Sequence, residues 1–178
     1  MRGASVIQKQ VLAKISDPGL RVYVVWLPVL PSGGWESAAR RRADRIPDPR
    51  ATRYYDPGKR IGVLYAPMLH LPEPMVAWDV YMIFGRDARW PAPGDDQRNG
   101  RKAAVGPPAP VYWMHQLGRA APRELRLDGE EFMKAVNGQL RAEYSQNWLS
   151  RGWGSISFLN AQPWPDRAHL ISVASQTL

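Results

Sequence analysis

A run of β-branched and aromatic residues, Arg21 to Leu30 (RVYVVWLPVL), places the strongest constraint on the fold of this chain. The run shows little of the polar alternation that is typical of a strand with one solvated face. It therefore predicts a strand that is covered on both faces. Strands of this kind belong to α/β folds, in which helices pack on either side of a sheet.

Three further segments have the character of strands. Ala51–Tyr55 and Val111–Leu117 are short candidates, and Val76–Phe84 (VAWDVYMIF) is the clearest of the three. Successive side chains of a strand point to opposite faces. One face is therefore expected to carry Val76, Trp78, Val80, Met82 and Phe84, and the other Ala77, Asp79, Tyr81 and Ile83. The large apolar residues on both faces again indicate a sheet enclosed by helices.

Helical spacing and capping residues predict helices before and between these strands. Residues 5–15 carry apolar positions at helical spacing, and residues 35–46 follow a Ser-Gly-Gly turn. Asp56 is placed to cap a helix that runs to about His70 and that Pro67 kinks or shortens. Its buried stripe is expected to carry Ile61, Leu64, Tyr65 and Leu69. These signals place one helix before the first strand and one in each of the next two connections.

The last predicted helix begins at Asp128, which can cap it and form a capping box with Glu131. Phe132, Val136 and Leu140 supply its buried stripe. Residues after about Tyr144 fit no periodic pattern. After the N-terminal helix, the elements therefore follow the order β-α-β-α-β-β-α.

That order, together with three loose motifs, resembles the thioredoxin-like superfamily, in particular the TlpA/ResA-type and related bacterial thioredoxin-like proteins. Val22–Pro28 resembles the strand before the active-site turn, and Val76–Ala88 resembles the strand and turn after the family's cis-proline. Trp113–Gly118 resembles the last strand with its closing glycine. The resemblance implies a thioredoxin-like three-layer α/β/α sandwich with a mixed central sheet, an N-terminal helix and a C-terminal extension, in which Val22–Trp26 lies beside Val76–Phe84.

The expected domain covers residues 1–143 and contains an inserted loop, residues 90–110, which is rich in Pro, Gly and charge. Residues 144–178 form a C-terminal extension. No segment approaches the roughly 18 apolar residues of a membrane span, and no targeting signal is visible at the start. These observations predict a cytoplasmic protein with no membrane partner.

The chain has no cysteine. The resemblance places the family's two thiols at Leu30 and Gly33, on either side of Pro31 and Ser32. Neither residue can act as a redox nucleophile, so thiol-disulfide oxidoreductase activity is excluded. The family's proline before the second strong strand is also displaced, because Ala77 or Trp78 stands at its position and Pro74 comes a few residues early.

We therefore expect a binding or scaffold module without thiol-disulfide redox activity, whose groove receives a peptide, a protein or a small ligand. Trp90 flanks a turn and is a candidate for lining this groove. No cofactor is predicted, and no metal site, because His70, His115 and His169 lack ligand spacing. The candidate binding residues are Trp26, Pro28, Pro31, Ser32, Trp35, Trp78 and Asp79.

Two other functions remain open on the sequence. The formal net charge of +8 favours an acidic partner such as nucleic acid, with contacts from Arg40, Arg41, Arg42, Arg98, Arg101 and Lys102. Alternatively, an enzyme with non-thiol chemistry would use Asp79 and His115. A carboxylate inside an apolar strand needs a partner, for which Arg21, Arg53 or His115 are the candidates.

Overall fold

The apolar run near Arg21 forms strand β1, Leu20–Leu27, with buried side chains on both of its faces. The computed structural model describes residues 2–29, 45–90, 107–150 and 168–175. The expected helix at residues 35–46 and most of the expected inserted loop lie outside these ranges. The other strands are β2 (Ala51–Tyr55), β3 (Val80–Gly85), β4 (Tyr112–His115) and β5 (Ala168–Ser175).

Within the described ranges, three α-helices accompany these strands. The first, α1 (Arg2–Val6), continues into a π-helical turn and a 3-10 turn, and we call this whole segment the N-terminal helix. The second is α2 (Arg60–Tyr65), and the third is α3 (Gly129–Ser150). Helix α3 continues past Tyr144, beyond which the sequence shows no helical periodicity. A further 3-10 turn covers Arg123–Leu125.

The strands form one five-stranded sheet in the order β2-β1-β5-β3-β4. Strand β1 pairs in parallel with β2 and β5, whereas β3 pairs antiparallel with β5 and β4. The mixed sheet and the helices confirm the α/β class. The predicted strand at Ala51–Tyr55 has the predicted bounds.

Strand β5 is the element that sequence reasoning missed, and it occupies the middle of the sheet. Leu20 to Leu27 pair with Ala168 to Ser175 on one side, and Val80 to Gly85 pair with Val173 to Ala168 on the other. As a result, β1 and β3 lie in the same sheet but are not neighbours, in contrast to the expected placement of Val22–Trp26 beside Val76–Phe84.

Each face of the sheet carries its own apolar core. On one face, Val22 and Val24 of β1 and Tyr81 of β3 pack with the N-terminal helix and with Phe132 and Val136 of α3. On the other face, Val25 and Leu27 of β1 and Val80, Met82 and Phe84 of β3 pack with Tyr65 of α2 and Leu69 beyond it. The predicted alternation is confirmed from Val80 to Phe84, whereas Ala77 packs in the same core as Val76 and Trp78, so its predicted face was wrong. We call the second side the α2 face.

Strand β3 begins later than the sequence suggested. Asp79 adopts a left-handed backbone, with φ of 52°, which is incompatible with a strand, so residues 76–79 precede the strand. The Glu73–Pro74 peptide bond, whose isomer the sequence left open, is cis.

Helix α2 is also shorter than expected, because Lys59 has a φ of 55° and the chain becomes helical only at Arg60. The residues from Ala66 to His70 form turns. Leu64, expected on the buried stripe, is 39% exposed, whereas Tyr65 is completely buried. The shorter helix turns Leu64 to the solvent, so its predicted position was wrong.

Asp128 caps α3 as predicted, but the predicted capping box with Glu131 does not form. The Asp128 carboxylate accepts hydrogen bonds from the backbone N–H groups of Glu130 and Glu131, each at 2.9 Å. The Asp128 N–H donates to the sulfur of Met114 at 3.4 Å. The cap therefore ties the start of α3 to β4.

A single arginine fastens the N-terminal helix to the start of β2. Arg50 forms a two-pronged pair with Asp48, in which Nε and Nη2 lie 2.9 and 2.7 Å from the two carboxylate oxygens. The same guanidinium donates to the carbonyl oxygens of Ile15 at 2.6 Å and Leu12 at 2.9 Å, at the end of the N-terminal helix. One charged group thus satisfies helix-end carbonyls and joins two elements.

We predict that Asp48→Asn destabilises the protein by about 3 kcal/mol at neutral pH, because it leaves the Arg50 charge in a largely buried site without its partner. The Arg50 hydrogen bonds hold the pKa of Asp48 below its ordinary value. The stabilisation is therefore present above the unfolded carboxyl pKa of about 3.9 and is lost as the pH falls through the lower folded pKa. Urea unfolding at several pH values measures this.

Asp87→Asn is the matched control, because Asp87 is 91% exposed and lies 3.7 Å from Arg86. It should change the free energy of unfolding by less than about 1 kcal/mol. The gap between wild type and Asp48→Asn should close at acid pH. A gap that stays constant down to the pH at which both unfold would contradict the assigned role of the pair.

A second prediction concerns β5. Ser172 lies between Val24 of β1 and Tyr81 of β3, so its N–H faces a paired strand on whichever side it points. Ser172→Pro removes this donor from an interior strand. Because sheets tolerate proline only at their edges, the substitution should abolish cooperative thermal unfolding. Ser172→Thr keeps the N–H and should leave the melting temperature within a few degrees. Equal melting curves for the two variants would show that β5 does not hold the sheet together.

Candidate ligand-binding site

A pocket of about 1080 Å³ opens on the α2 face of the sheet. Strands β1 and β2 form one wall, the turn before α2 and the helix form a second, and the segment after β3 forms a third. Aromatic side chains make up much of the lining, namely Tyr23, Tyr54, Tyr55, Tyr65, Phe84 and Trp90. Mostly apolar concave sites with a few polar groups are typical of small-molecule binding.

The strand register determines which tyrosines enter this pocket. Val25 of β1 lies opposite Tyr54 of β2, and Tyr23 lies two residues earlier on the same face of β1. The rings of Tyr23 and Tyr54 stack, with centroids 6.5 Å apart and an angle of 27° between their planes. Because 52% of Tyr54 is exposed, this stack presents an open aromatic surface to the pocket.

Tyr65 fixes the opposite side. It is fully buried, and its hydroxyl donates to the carbonyl oxygen of Pro108 at 3.1 Å. Phe84 and Trp90 meet its ring edge to face, with centroids 6.0 and 6.2 Å away. Burial raises the pKa of Tyr65, so the hydroxyl remains a neutral donor.

The turn before α2 places an arginine at the pocket. Asp56 accepts the backbone N–H of Ile61 at 2.8 Å, while its own carbonyl accepts the N–H of Lys59 at 3.2 Å. These two hydrogen bonds hold the turn in place and leave Arg60 exposed at the first position of the helix. The Asp56-Pro57-Gly58 turn seen in the sequence thus builds part of the pocket rim, although the helix starts at Arg60 and not at Pro57.

A second arginine comes from the segment after β3. Arg89 lines the pocket, and its Nη1 donates to the carbonyl oxygens of Arg86 at 2.8 Å and Ala88 at 3.2 Å. Within the described ranges, neither Arg60 nor Arg89 has a carboxylate at ion-pair distance. The pocket therefore combines aromatic walls with two cationic side chains.

Two of the sequence-predicted groove residues, Trp26 and Trp78, lie in the cores on opposite faces of the sheet. Trp26 is 2% exposed and belongs to the core on the α3 side, whereas Trp78 packs against the core of the α2 face. Pro28 is half-buried just beyond β1. Pro31, Ser32 and Trp35 lie outside the described residues. Trp90 does line a pocket, but that pocket lies beneath α2 and not beside Trp26.

Asp79 is satisfied from within its own segment. Its carboxylate accepts a hydrogen bond of 2.5 Å from the Tyr81 hydroxyl, a partner that the sequence did not suggest. Burial raises the pKa of Asp79, and the hydrogen bond from Tyr81 partly offsets that rise. Tyr81 itself is buried on the α3 side of the sheet. The Asp79 side chain is half-buried, and the hydroxyl that binds it lies so close to the N-terminal helix that a Cβ at Gly3 would overlap it.

His115 is completely buried, and both of its ring nitrogens have partners. Nδ1 accepts the backbone N–H of Leu117 at 3.0 Å, and Nε2 donates to the carbonyl oxygen of Pro122 at 2.7 Å. His115 pairs with Val80 in register and so shares the α2 face, while Tyr81 and the bound Asp79 carboxylate lie on the other. The two side chains share no hydrogen bond among the described residues, although His115 lies close enough to lower the pKa of Asp79 against the larger effect of burial.

The remaining sequence candidates fall outside what can be described. Arg40, Arg41, Arg42, Arg98, Arg101 and Lys102 all lie in the undescribed ranges. Among the described residues, no three histidine or acidic side chains cluster as metal ligands do. In that same part of the chain, no helix combines the length and apolar character needed to cross a membrane.

Sequence reasoning missed Tyr23, Tyr54, Tyr65, Phe84, Arg60 and Arg89 as site residues. The available signal was the alternation on β1 and β2, which places Tyr23 and Tyr54 on one face once the two strands are paired. The contribution of Arg89 depends on chain reversal after β3, for which no local pattern is diagnostic.

We predict that Gly62→Ala destabilises the protein by about 1–3 kcal/mol, because α2 approaches the chain too closely to admit a Cβ. A Cβ at Gly62 would overlap the Val76 side chain and lie 2.6 Å from the Ala77 carbonyl oxygen. Gly138→Ala is the matched control, because nothing lies near a Cβ there and alanine favours the α3 helix by about 0.5–1 kcal/mol. Chemical denaturation should therefore show shifts of opposite sign, and a gain at both positions would contradict the close contact.

Comparisons with known proteins do not indicate a function for the pocket. No family model, no curated protein and no solved structure matches this chain at a significant level.

Proposed function

We propose that this chain is a thioredoxin-like binding module without thiol-disulfide redox activity, and that the pocket beneath α2 receives a small ligand with a planar aromatic ring. The observation that carries the proposal is the aromatic pocket itself, with the stacked Tyr23–Tyr54 pair on one side and the Tyr65–Phe84–Trp90 cluster on the other.

The strand arrangement supports the thioredoxin-like part of the proposal. If β5 is set aside, the remaining order is β2-β1-β3-β4, in which β1 is parallel to β2 and opposite in direction to β3. The resemblance implies this order with β1 and β3 as direct neighbours, and the structure departs from it because β5 lies between them. Helices pack on both faces of the sheet, and the absence of cysteine removes the family's redox chemistry. Strand β5 is an addition to that plan.

The pocket supports a small ligand more than a peptide. Its volume of about 1080 Å³ is close to the upper end of the roughly 300–1000 Å³ that is usual for small-molecule sites. Aromatic walls favour a flat ring, which can stack on Tyr54 and meet the edge of Trp90. Polar groups of the wall that already have hydrogen-bond partners within the protein, such as the Tyr65 hydroxyl, give the wall a fixed shape.

The test is calorimetric titration with naphthylmethanol, an uncharged planar aromatic probe. We expect the wild-type protein to bind it, and Tyr54→Ala to weaken binding about three- to tenfold, since an aromatic contact contributes roughly 0.5–1.5 kcal/mol beyond burial of its area. Tyr54 is mostly exposed, so its loss should leave the fold intact, which circular dichroism would verify.

Val111→Ala is the control, because Val111 is 58% exposed and does not line the pocket. It should bind the probe as the wild type does. Absence of binding to the wild-type protein, or equal weakening by the two substitutions, would refute the pocket as an aromatic ligand site.

A further inference from the structure

We infer that the ligand of the aromatic pocket carries a single negative charge, in the form of a carboxylate attached to or near its ring. This inference rests on the proposed function, since it concerns the same pocket. It adds the charge and the chemical group of the ligand, which the aromatic walls alone do not specify.

Among the described residues, the charged side chains that line the pocket are Asp56, Arg60 and Arg89, so one positive charge is in excess there. Asp56 is occupied in the structure, because its carboxylate accepts the Ile61 N–H and fixes the turn. The two arginines are in a different situation, since no carboxylate in the described residues lies at ion-pair distance from either. An anionic ligand would complete the charge balance that the protein leaves open.

The two guanidinium groups also differ in how they are held. Arg89 donates from Nη1 to the carbonyl oxygens of Arg86 and Ala88, which anchors the side chain to its own turn. Arg60 projects from the start of α2 with no hydrogen bond to the described residues. One arginine is therefore pre-positioned, and the other is free to close on a bound anion.

A carboxylate is the group that this pair suits best. Guanidinium donors match the two oxygens of a carboxylate in a flat, forked geometry, and the planar group can lie in line with an aromatic ring stacked on the walls. A phosphate monoester would bring a charge of about −1.5 to −2, which exceeds the single charge in excess at the pocket. A cationic ring would be attracted by the aromatic faces but repelled by both arginines.

The experiment compares probes of the same ring and different charge by calorimetry at low salt. We expect naphthoate to bind about tenfold more tightly than naphthylmethanol, because charge-assisted hydrogen bonds are roughly twice as strong as neutral ones. Naphthylmethylammonium should bind most weakly. The preference for naphthoate should shrink as salt is raised, since both arginines are exposed.

Variants separate this inference from the proposed function. Arg60→Gln and Arg89→Gln should each reduce the ratio of naphthoate to naphthylmethanol affinity, and together they should bring it close to one, while binding of the uncharged probe persists. Arg119→Gln is the matched control, because Arg119 is exposed and lies outside the pocket. It should leave the ratio unchanged.

Each outcome decides between the two statements. If naphthylmethanol binds as tightly as naphthoate, the charge assignment is overturned and the aromatic pocket stands. If naphthyl phosphate binds more tightly than naphthoate, the single-charge carboxylate is wrong. If none of the probes binds, the aromatic pocket and the inference built on it both fail.

Discussion

The backbone pairing of β5 is the constraint on which the rest of the structure depends. Its eight residues pair with β1 on one side and β3 on the other, and within the described sheet no direct pairing joins those two strands. Neighbouring strands lie about 4.8 Å apart, so β5 sets β1 and β3 roughly 10 Å from each other. The floor of the α2 face is correspondingly wide.

That width explains why a pocket exists on one face and a filled core on the other. The α3 side receives the 22-residue helix α3 and the N-terminal helix, which Arg50 and Asp48 fasten to β2. Among the described residues, the α2 face receives a helix of only six residues, whose Tyr65 meets Phe84 of β3 and whose Gly62 lies close to Leu27 of β1. Tyr23 and Tyr54, at the β1–β2 side, are left partly uncovered. The pocket is thus the space that a short helix leaves over a widened sheet.

The sequence allowed the strands with strong local patterns to be predicted. Leu20–Leu27, Ala51–Tyr55 and the alternation of Val80 to Phe84 follow from β-branched and aromatic residues whose burial does not depend on distant pairing. Strand β5 could not be placed in this way, because its partners are more than 80 residues distant in the chain. Only the backbone pairing of β5 with β1 and β3 shows its position. The start of β3 depended on the left-handed backbone at Asp79, which an alternating pattern cannot show.

The candidate site was harder to predict than the fold, and the reason lies in how polar groups are satisfied. The sequence drew attention to Asp79 and His115 because they are polar residues in apolar strands. In the structure, Tyr81 satisfies the Asp79 carboxylate, and two backbone groups satisfy both nitrogens of His115.

Arg60 and Arg89 could not be singled out from the sequence, because exposed positively charged residues are common in a chain with a formal net charge of +8. They become distinctive only when folding places them on one aromatic pocket without a carboxylate partner among the described residues. Buried polar groups that the protein satisfies itself contribute to its stability. Positive charges that lie unbalanced beside an apolar cavity can instead be paired by the negative charge of a ligand.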